Sequence, residues 1–86
     1  MTHDLKIFPK FFDAIANKEK TFEVRKNDRG YKVGDKLLLF ECEQEAGGSY
    51  TGREMTATIT YILAEEDFPI ALKPGYCVIG IKVKDD

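Results

Sequence analysis

From Arg53 to Leu63 the chain alternates without a break. Met55, Ala57, Ile59, Tyr61 and Leu63 are apolar or aromatic, while Glu54, Thr56, Thr58 and Thr60 are polar. Side chains alternate across a strand and recur every three or four residues on a helix, so this stretch reads as a β-strand with one buried face. Such a strand needs partners along its edges and a layer over its apolar face, which sets the fold class. The rest of the chain supplies them. His3–Phe8 sets Leu5 and Ile7 against Asp4 and Lys6, Thr21–Arg25 alternates again, and Tyr76–Val83 puts Cys77, Ile79, Ile81 and Val83 on one face. Lys36–Glu43 contains the consecutive run Leu37-Leu38-Leu39-Phe40, which predicts a strand covered on both faces at its start.

Between the first two strands the period changes. Pro9 suits the first turn of a helix, where its missing N–H costs nothing. Phe8, Phe11, Phe12 and Ile15 then recur at helical spacing, predicting a helix from Pro9 to Ala16 whose aromatic face joins the core at one end of the sheet. Ala46-Gly47-Gly48-Ser49 reads as a flexible hairpin loop leading through Tyr50-Thr51-Gly52 into the next strand. Glu65-Glu66-Asp67 reads as a solvated loop, Ile70–Lys73 as a single helical turn and Lys84-Asp85-Asp86 as a solvated tail. The expected fold is α+β but mainly β: about five mostly antiparallel strands curled into a small barrel, with one principal helix between strands one and two. Leu37, Leu39, Met55, Ile59, Ile79 and Ile81 are its expected core.

An 86-residue chain makes one domain, over residues 1–86, with little core to spare. Its 43% hydrophobic and 33% charged residues are ordinary for a globular protein. No run of about 20 apolar residues spans a bilayer and no signal-peptide pattern opens the chain, so a cytoplasmic address is expected. Cys42 and Cys77 have no histidine at ligand spacing and read as buried free thiols, with no metal and no cofactor implied. The net charge of −2 hides an asymmetry. Residues 1–36 carry nine Lys and Arg against six Asp and Glu, and residues 37–86 carry four against nine. The first part is the one that attracts an anion.

That basic part contains Lys20-Thr21-Phe22-Glu23-Val24-Arg25, in which strand geometry puts Thr21, Glu23 and Arg25 opposite Phe22 and Val24. Lys20, at the strand's start, can lean over the polar face. A carboxylate with two cations on one short segment is either a surface ion pair or part of a ligand site, and the sequence alone leaves both open. Asn27-Asp28-Arg29-Gly30 is turn chemistry, except for Arg29, which turn geometry does not require. Tyr50 and Tyr76 read as rim packing. There is no Gly-rich phosphate loop and no Ser/His/Asp set.

Several segments together carry a resemblance. Lys20-x-x-Glu23-x-Arg25 followed by Val33-Gly34-Asp35 resembles the ASCH domains of the PUA-like superfamily. His3-Asp4-Leu5-Lys6-Ile7, Lys20–Arg29, Tyr50-Thr51-Gly52-Arg53-Glu54 and Gly75-Tyr76-Cys77-Val78-Ile79 resemble the DUF3850 family of bacteria and their phages. The resemblance covers nearly the whole chain and implies a PUA-like barrel with a role in RNA or nucleotide binding. His3, Lys6, Lys20, Glu23, Arg25 and Arg29 are the implied ligand-binding residues. Some ASCH domains are small amidohydrolases that deacylate acetylcytidine; they imply Lys20 as a catalytic lysine, with Glu23 standing where those enzymes have threonine. The pattern also has glycine two residues before the lysine, where this chain has Lys18.

Two functions are therefore expected. In the first, a binding module, Lys6, Lys20, Arg25 and Arg29 meet phosphate or base edges and Glu23 accepts from a base amino group. In the second, an enzyme, Lys20 acts as base or nucleophile on an acylated nucleoside.

Overall fold

The computed structural model describes residues 1–43 and 48–84. The chain runs β1 (Thr2–Ile7), α1 (Pro9–Ala16), β2 (Phe22–Lys26), β3 (Lys36–Cys42), β4 (Tyr50–Ala64), a short 3-10 turn (Glu65–Asp67) and β5 (Tyr76–Val83). The five strands form one sheet in the order β1-β3-β4-β5-β2, curled into a half-barrel with α1 at one end. Ala46 and Gly47 of the expected hairpin loop, and Asp85 and Asp86 of the expected tail, lie outside the described residues. No helix among the described residues is long and apolar enough to cross a membrane.

Three of the four strand pairings are antiparallel, as expected, but β1 pairs with β3 in parallel. A parallel neighbour requires a crossover, and here α1 and β2 are both inside it. After β1 the chain crosses the end of the sheet as α1, lays β2 on the far edge, and returns to β3. The two strands carrying the predicted site, β1 and β2, are thus the opposite edges of the sheet, and the curl brings those edges toward each other.

The core lies inside the curl. Leu37, Leu39, Ile59 and Ile79 are at most 1% exposed, with Ile81, Cys77 and Ile15 buried beside them and Met55 packed against their rim. Each such side chain stabilises the fold by about 1.5–3 kcal/mol. Cys42 and Cys77 are free and buried, and burial pushes the Cys77 thiol up from its ordinary value. Leu38 and Phe40 are only half-buried, so β3 is covered on one face and partly on the other.

Two expectations are corrected by bulges and turns. Ile59 pairs with Ile81 but Tyr61 with Gly80, so Thr60 is an extra residue and the phase of β4 flips. Tyr61 is consequently 65% exposed, Leu63 follows it to the outer face, and Ile62 packs on the core. Gly80 leaves room for this bulge, since a Cβ there would meet the Thr60 hydroxyl at 3.1 Å. The expected solvated loop Glu65–Asp67 is a 3-10 turn, held by the Asp67 carboxylate, which accepts from the Ala64 N–H at 2.8 Å. The turn expected at Ile70–Lys73 lies slightly earlier, where the Ala71 and Leu72 N–H groups donate to Phe68 O.

Helix α1 ends in a Schellman turn. The Lys18 N–H donates to Ile15 O and the Glu19 N–H to Ala14 O. Lys18 occupies the position that glycine usually fills and has φ +63°. A left-handed backbone costs a side-chain-bearing residue about 1–2 kcal/mol. The local geometry is therefore the one glycine would give, with a lysine in its place.

His3 shares the inward phase of Leu5 and Ile7 and is 5% exposed. Its Nε2 lies 2.8 Å from Asp35 Oδ2, and its ring meets Tyr31 edge-on at 4.8 Å. Asp35 also accepts from the Lys32 N–H at 3.1 Å and the N-terminal ammonium at 3.3 Å. The His3 contact comes first among the causes that hold the Asp35 carboxyl below its ordinary value, against the opposing effect of burial. A carboxyl whose pKa falls on folding contributes stability above its unfolded value, and that contribution disappears as pH drops through the folded value. We therefore expect Asp35→Asn to lower the urea midpoint at neutral pH. The gap from wild type should shrink below about pH 4. A gap that widens in acid would contradict this role for Asp35.

Candidate functional site

Strand β2 turns its polar face inward. Glu23 sits opposite Ile79 in the β2–β5 register and is 7% exposed, while Phe22 and Val24 face out at 46% and 54%. This inverts the usual preference of a sheet, and a buried charge is tolerated only when paired. Glu23 Oε1 accepts from Lys20 Nζ and Oε2 from Arg25 Nε at 3.2 Å. Lys20 donates as well to Phe22 O at 2.7 Å, with its ammonium over the rings of Phe22 and Phe11 at 4.9 and 5.3 Å. The Lys20–Glu23–Arg25 set is thus a built cluster, not a solvated surface pair.

Arg25 also closes the seam of the half-barrel. Its Nη2 donates to Lys6 O on β1 at 2.9 Å, and Arg29 Nη1 donates to Asp4 O on the same strand. Residues two apart present their carbonyls to the same edge, so two guanidiniums stand in for a missing backbone ladder between β1 and β2. Beside this seam lies a cleft of about 450 Å³. Glu23, Arg25 and Lys6 line it with Phe8, Phe11 and Tyr76. Lys6 brings an ammonium that makes no hydrogen bond or ion pair among the described residues. Phe8 and Phe11, expected in the core, are 39% and 40% exposed, because a two-turn helix with four apolar side chains has more apolar arc than the sheet end covers.

The predicted residues therefore separate into groups. Lys6, Glu23 and Arg25 meet at the cleft, and Lys20 stands behind Glu23, lining an adjoining hollow. Arg29 and His3 line a shallower groove that shares Lys6 and Arg25 with the cleft. The imidazole of His3 is committed to Asp35, 32 residues away.

The sequence reading missed a further buried carboxylate. Glu41 is 4% exposed and accepts from Thr51 Oγ1 at 2.6 Å and Arg53 Nη1 at 3.3 Å. Arg53 reaches on to Asp13 of α1 at 3.0 Å and stacks over Phe12 at 4.7 Å. Gly52, at φ +95°, makes the kink that aims both Thr51 and Arg53 at Glu41. The Thr51-Gly52-Arg53 motif thus anchors the helix that carries Phe8 and Phe11. The signal was present in the phase: Glu41 follows Leu37 and Leu39 at two-residue steps. Among the described residues no group of three or more His, Cys, Asp or Glu is placed to hold a metal ion.

The chain matches the family described as "Domain of unknown function (DUF3850)" over residues 2–81. It belongs to that family. It is also 39% identical over 66 residues to the "Uncharacterized 12.9 kDa protein in GpA 3'region" of Escherichia phage P2. That alignment takes in 77% of this chain and 58% of the phage protein, so the chain spans a little over half of that relative's length. The cleft and the Glu41 anchor both lie within the residues that define this DUF3850 match.

Proposed function

We propose that this DUF3850 domain is an ASCH/PUA-like RNA- or nucleotide-binding module of the cytoplasm, and that the cleft between β1 and β2 takes one unpaired base with its phosphate. The observation that carries this reading is Glu23. A nearly buried carboxylate, held by Lys20 and Arg25, forms part of the wall of an open cleft whose other walls are aromatic and cationic. Each carboxylate oxygen keeps a lone pair beyond those contacts, so Glu23 can accept from a base amino group. Phe8, Phe11 and Tyr76 offer faces for a base, and the Lys6 ammonium offers a partner for phosphate.

The competing reading is an amidohydrolase of acylated nucleosides that uses Lys20. Lys20 Nζ donates to both Glu23 and Phe22 O and does not line the cleft, so it is held by the wall rather than aimed at a ligand in it. Lys20→Arg separates the two. Arginine keeps the charge but does not serve as a base at neutral pH. In titrations with a short single-stranded RNA, Lys20→Arg should lose about 1 kcal/mol or less. The wild type should release no acetate from acetylcytidine. Acetate release that Lys20→Arg abolishes would replace the binding module with the enzyme, and a wild type that does neither would sink both.

A further inference from the structure

The outer face of the sheet divides at the Thr60 bulge. On one side Thr2, Lys36, Thr58 and Lys82 stand in a polar row across β1, β3, β4 and β5. On the other, two apolar rows cross β4, β5 and β2. Tyr61, Gly80 and Phe22 make the first, and Leu63, Val78 and Val24 the second. The bulge creates this patch, because without the extra residue Tyr61 and Leu63 would point into the core. Phe22, Val24 and Tyr61 are each close to half exposed or more. Side chains this open leave roughly 350 Å² of apolar surface together, within the range where the largest patch of a soluble domain often has a function.

Unlike charges rim the patch at one end. Lys26, the last residue of β2, pairs with Tyr76, and Ala64, the last of β4, pairs with Cys77. Lys26 and the turn Glu65-Glu66-Asp67 therefore end the patch at the same level but on opposite flanks, two strand spacings or roughly 10 Å apart. Neither the Lys26 ammonium nor the Glu66 carboxylate makes a hydrogen bond or ion pair among the described residues. A two-fold axis along β5, lying in the plane of an interface, exchanges the flanks and keeps each level. It sets β2 of one copy over β4 of the other, so Phe22 meets Tyr61, Val24 meets Leu63 and Lys26 meets Glu66. Gly80 lies on the axis, where the missing side chain lets the two backbones come close and the rings on either side interleave. Lys82, two residues beyond Gly80, shares a hollow with Lys36 and Thr58 that gives its side chain room outside the apolar rows.

We propose that this face is the interface of a symmetric homodimer, in which the outer faces of β2, β5 and β4 pack on the same faces of a second copy. The proposal does not depend on what the cleft binds. An apolar centre with a charged rim that matches itself under a two-fold is the pattern of an isologous interface. Counting the rim, each copy buries roughly 500 Å², which puts the total near the lower bound for a specific interface. The dimer is therefore weak and dependent on concentration.

Sedimentation equilibrium over about 5–500 µM tests it, and the wild type should pass from monomer to dimer with a midpoint on the order of 50 µM. Tyr61→Thr, which keeps a strand-forming residue, should weaken the dimer about tenfold or more. Its urea midpoint at low concentration should stay near that of the wild type, since Tyr61 is mostly exposed. Lys26→Glu and Glu66→Lys should each weaken the dimer about threefold, and the two together should recover most of the loss. A wild type that is monomeric over the whole range overturns the proposal, whatever else covers the face. A dimer that Tyr61→Thr leaves intact lies elsewhere on the molecule and overturns it as well. If Tyr61→Thr breaks the dimer but the charge variants neither weaken it singly nor recover it together, the two-fold along β5 is overturned.

Discussion

Glu23→Gln is expected to cost about 2–3 kcal/mol of folding stability and more than tenfold in RNA affinity, a larger binding loss than Lys20→Arg produces. The substitution keeps the shape and one acceptor but removes the anion. Lys20 and Arg25, whose side chains are only 18% and 26% exposed, are then left as two cations in one small site. The new amide NH₂ also faces a donor on one side, so a hydrogen bond is lost as well as a charge pair. Breaking a fully buried pair costs about 3–5 kcal/mol, and the partial exposure of both cations reduces that through solvent screening. Urea unfolding reads the stability term, and titration under conditions where circular dichroism shows the variant folded reads the binding term. A variant as stable as the wild type would mean that Glu23 is a solvated surface pair after all.

That buried carboxylate shows where the sequence was informative and where it was not. Alternation placed Glu23 and Arg25 on one face of β2 and Phe22 and Val24 on the other, but it did not say which face turns inward. A hydrophobicity rule would choose Phe22 and Val24. The choice is reversed because β2 borders the open seam, where Lys20 and Arg25 satisfy the carboxylate and the cleft brings solvent to it. Helix α1 was legible, since Pro9 and the Phe12/Ile15 spacing are local signals. The parallel β1–β3 pairing was not, because strand order depends on contacts some 34 residues apart, as between Thr2 and Lys36. Thr60 gives no local sign of a bulge; only Gly80, opposite it in space, marks the place. His3 was legible as inward by its phase with Leu5 and Ile7, but its partner Asp35 belongs to a distant turn. Lys18 is the reverse case, a local departure from a glycine pattern that acquired a meaning only when its φ was known.

Arg53→Met should lower stability by about 2–3 kcal/mol, and adding Glu41→Leu to it should restore most of the loss. Glu41 is the more deeply buried partner, its side chain 5% exposed against 53% for Arg53. Without the guanidinium, Glu41 retains only the Thr51 hydroxyl among the described residues, and the penalty is that of a buried charge left without its counter-ion. Loss of the contact between Arg53 and Asp13 adds little, because both side chains are more than half exposed. The second substitution removes the stranded charge and fills its place with a side chain that matches Leu37 and Leu39 on the same face of β3. The double variant then lacks the tie from β4 to α1, although Phe12 and Ile15 still seat the helix on the core. Its cleft should keep the Lys20–Glu23–Arg25 set but hold Phe8 and Phe11 less firmly, so RNA affinity should fall by less than in Glu23→Gln while stability is nearly wild-type. If the double variant is no more stable than Arg53→Met alone, Glu41 is not the stranded group and the loss lies in the packing of Arg53 over Phe12.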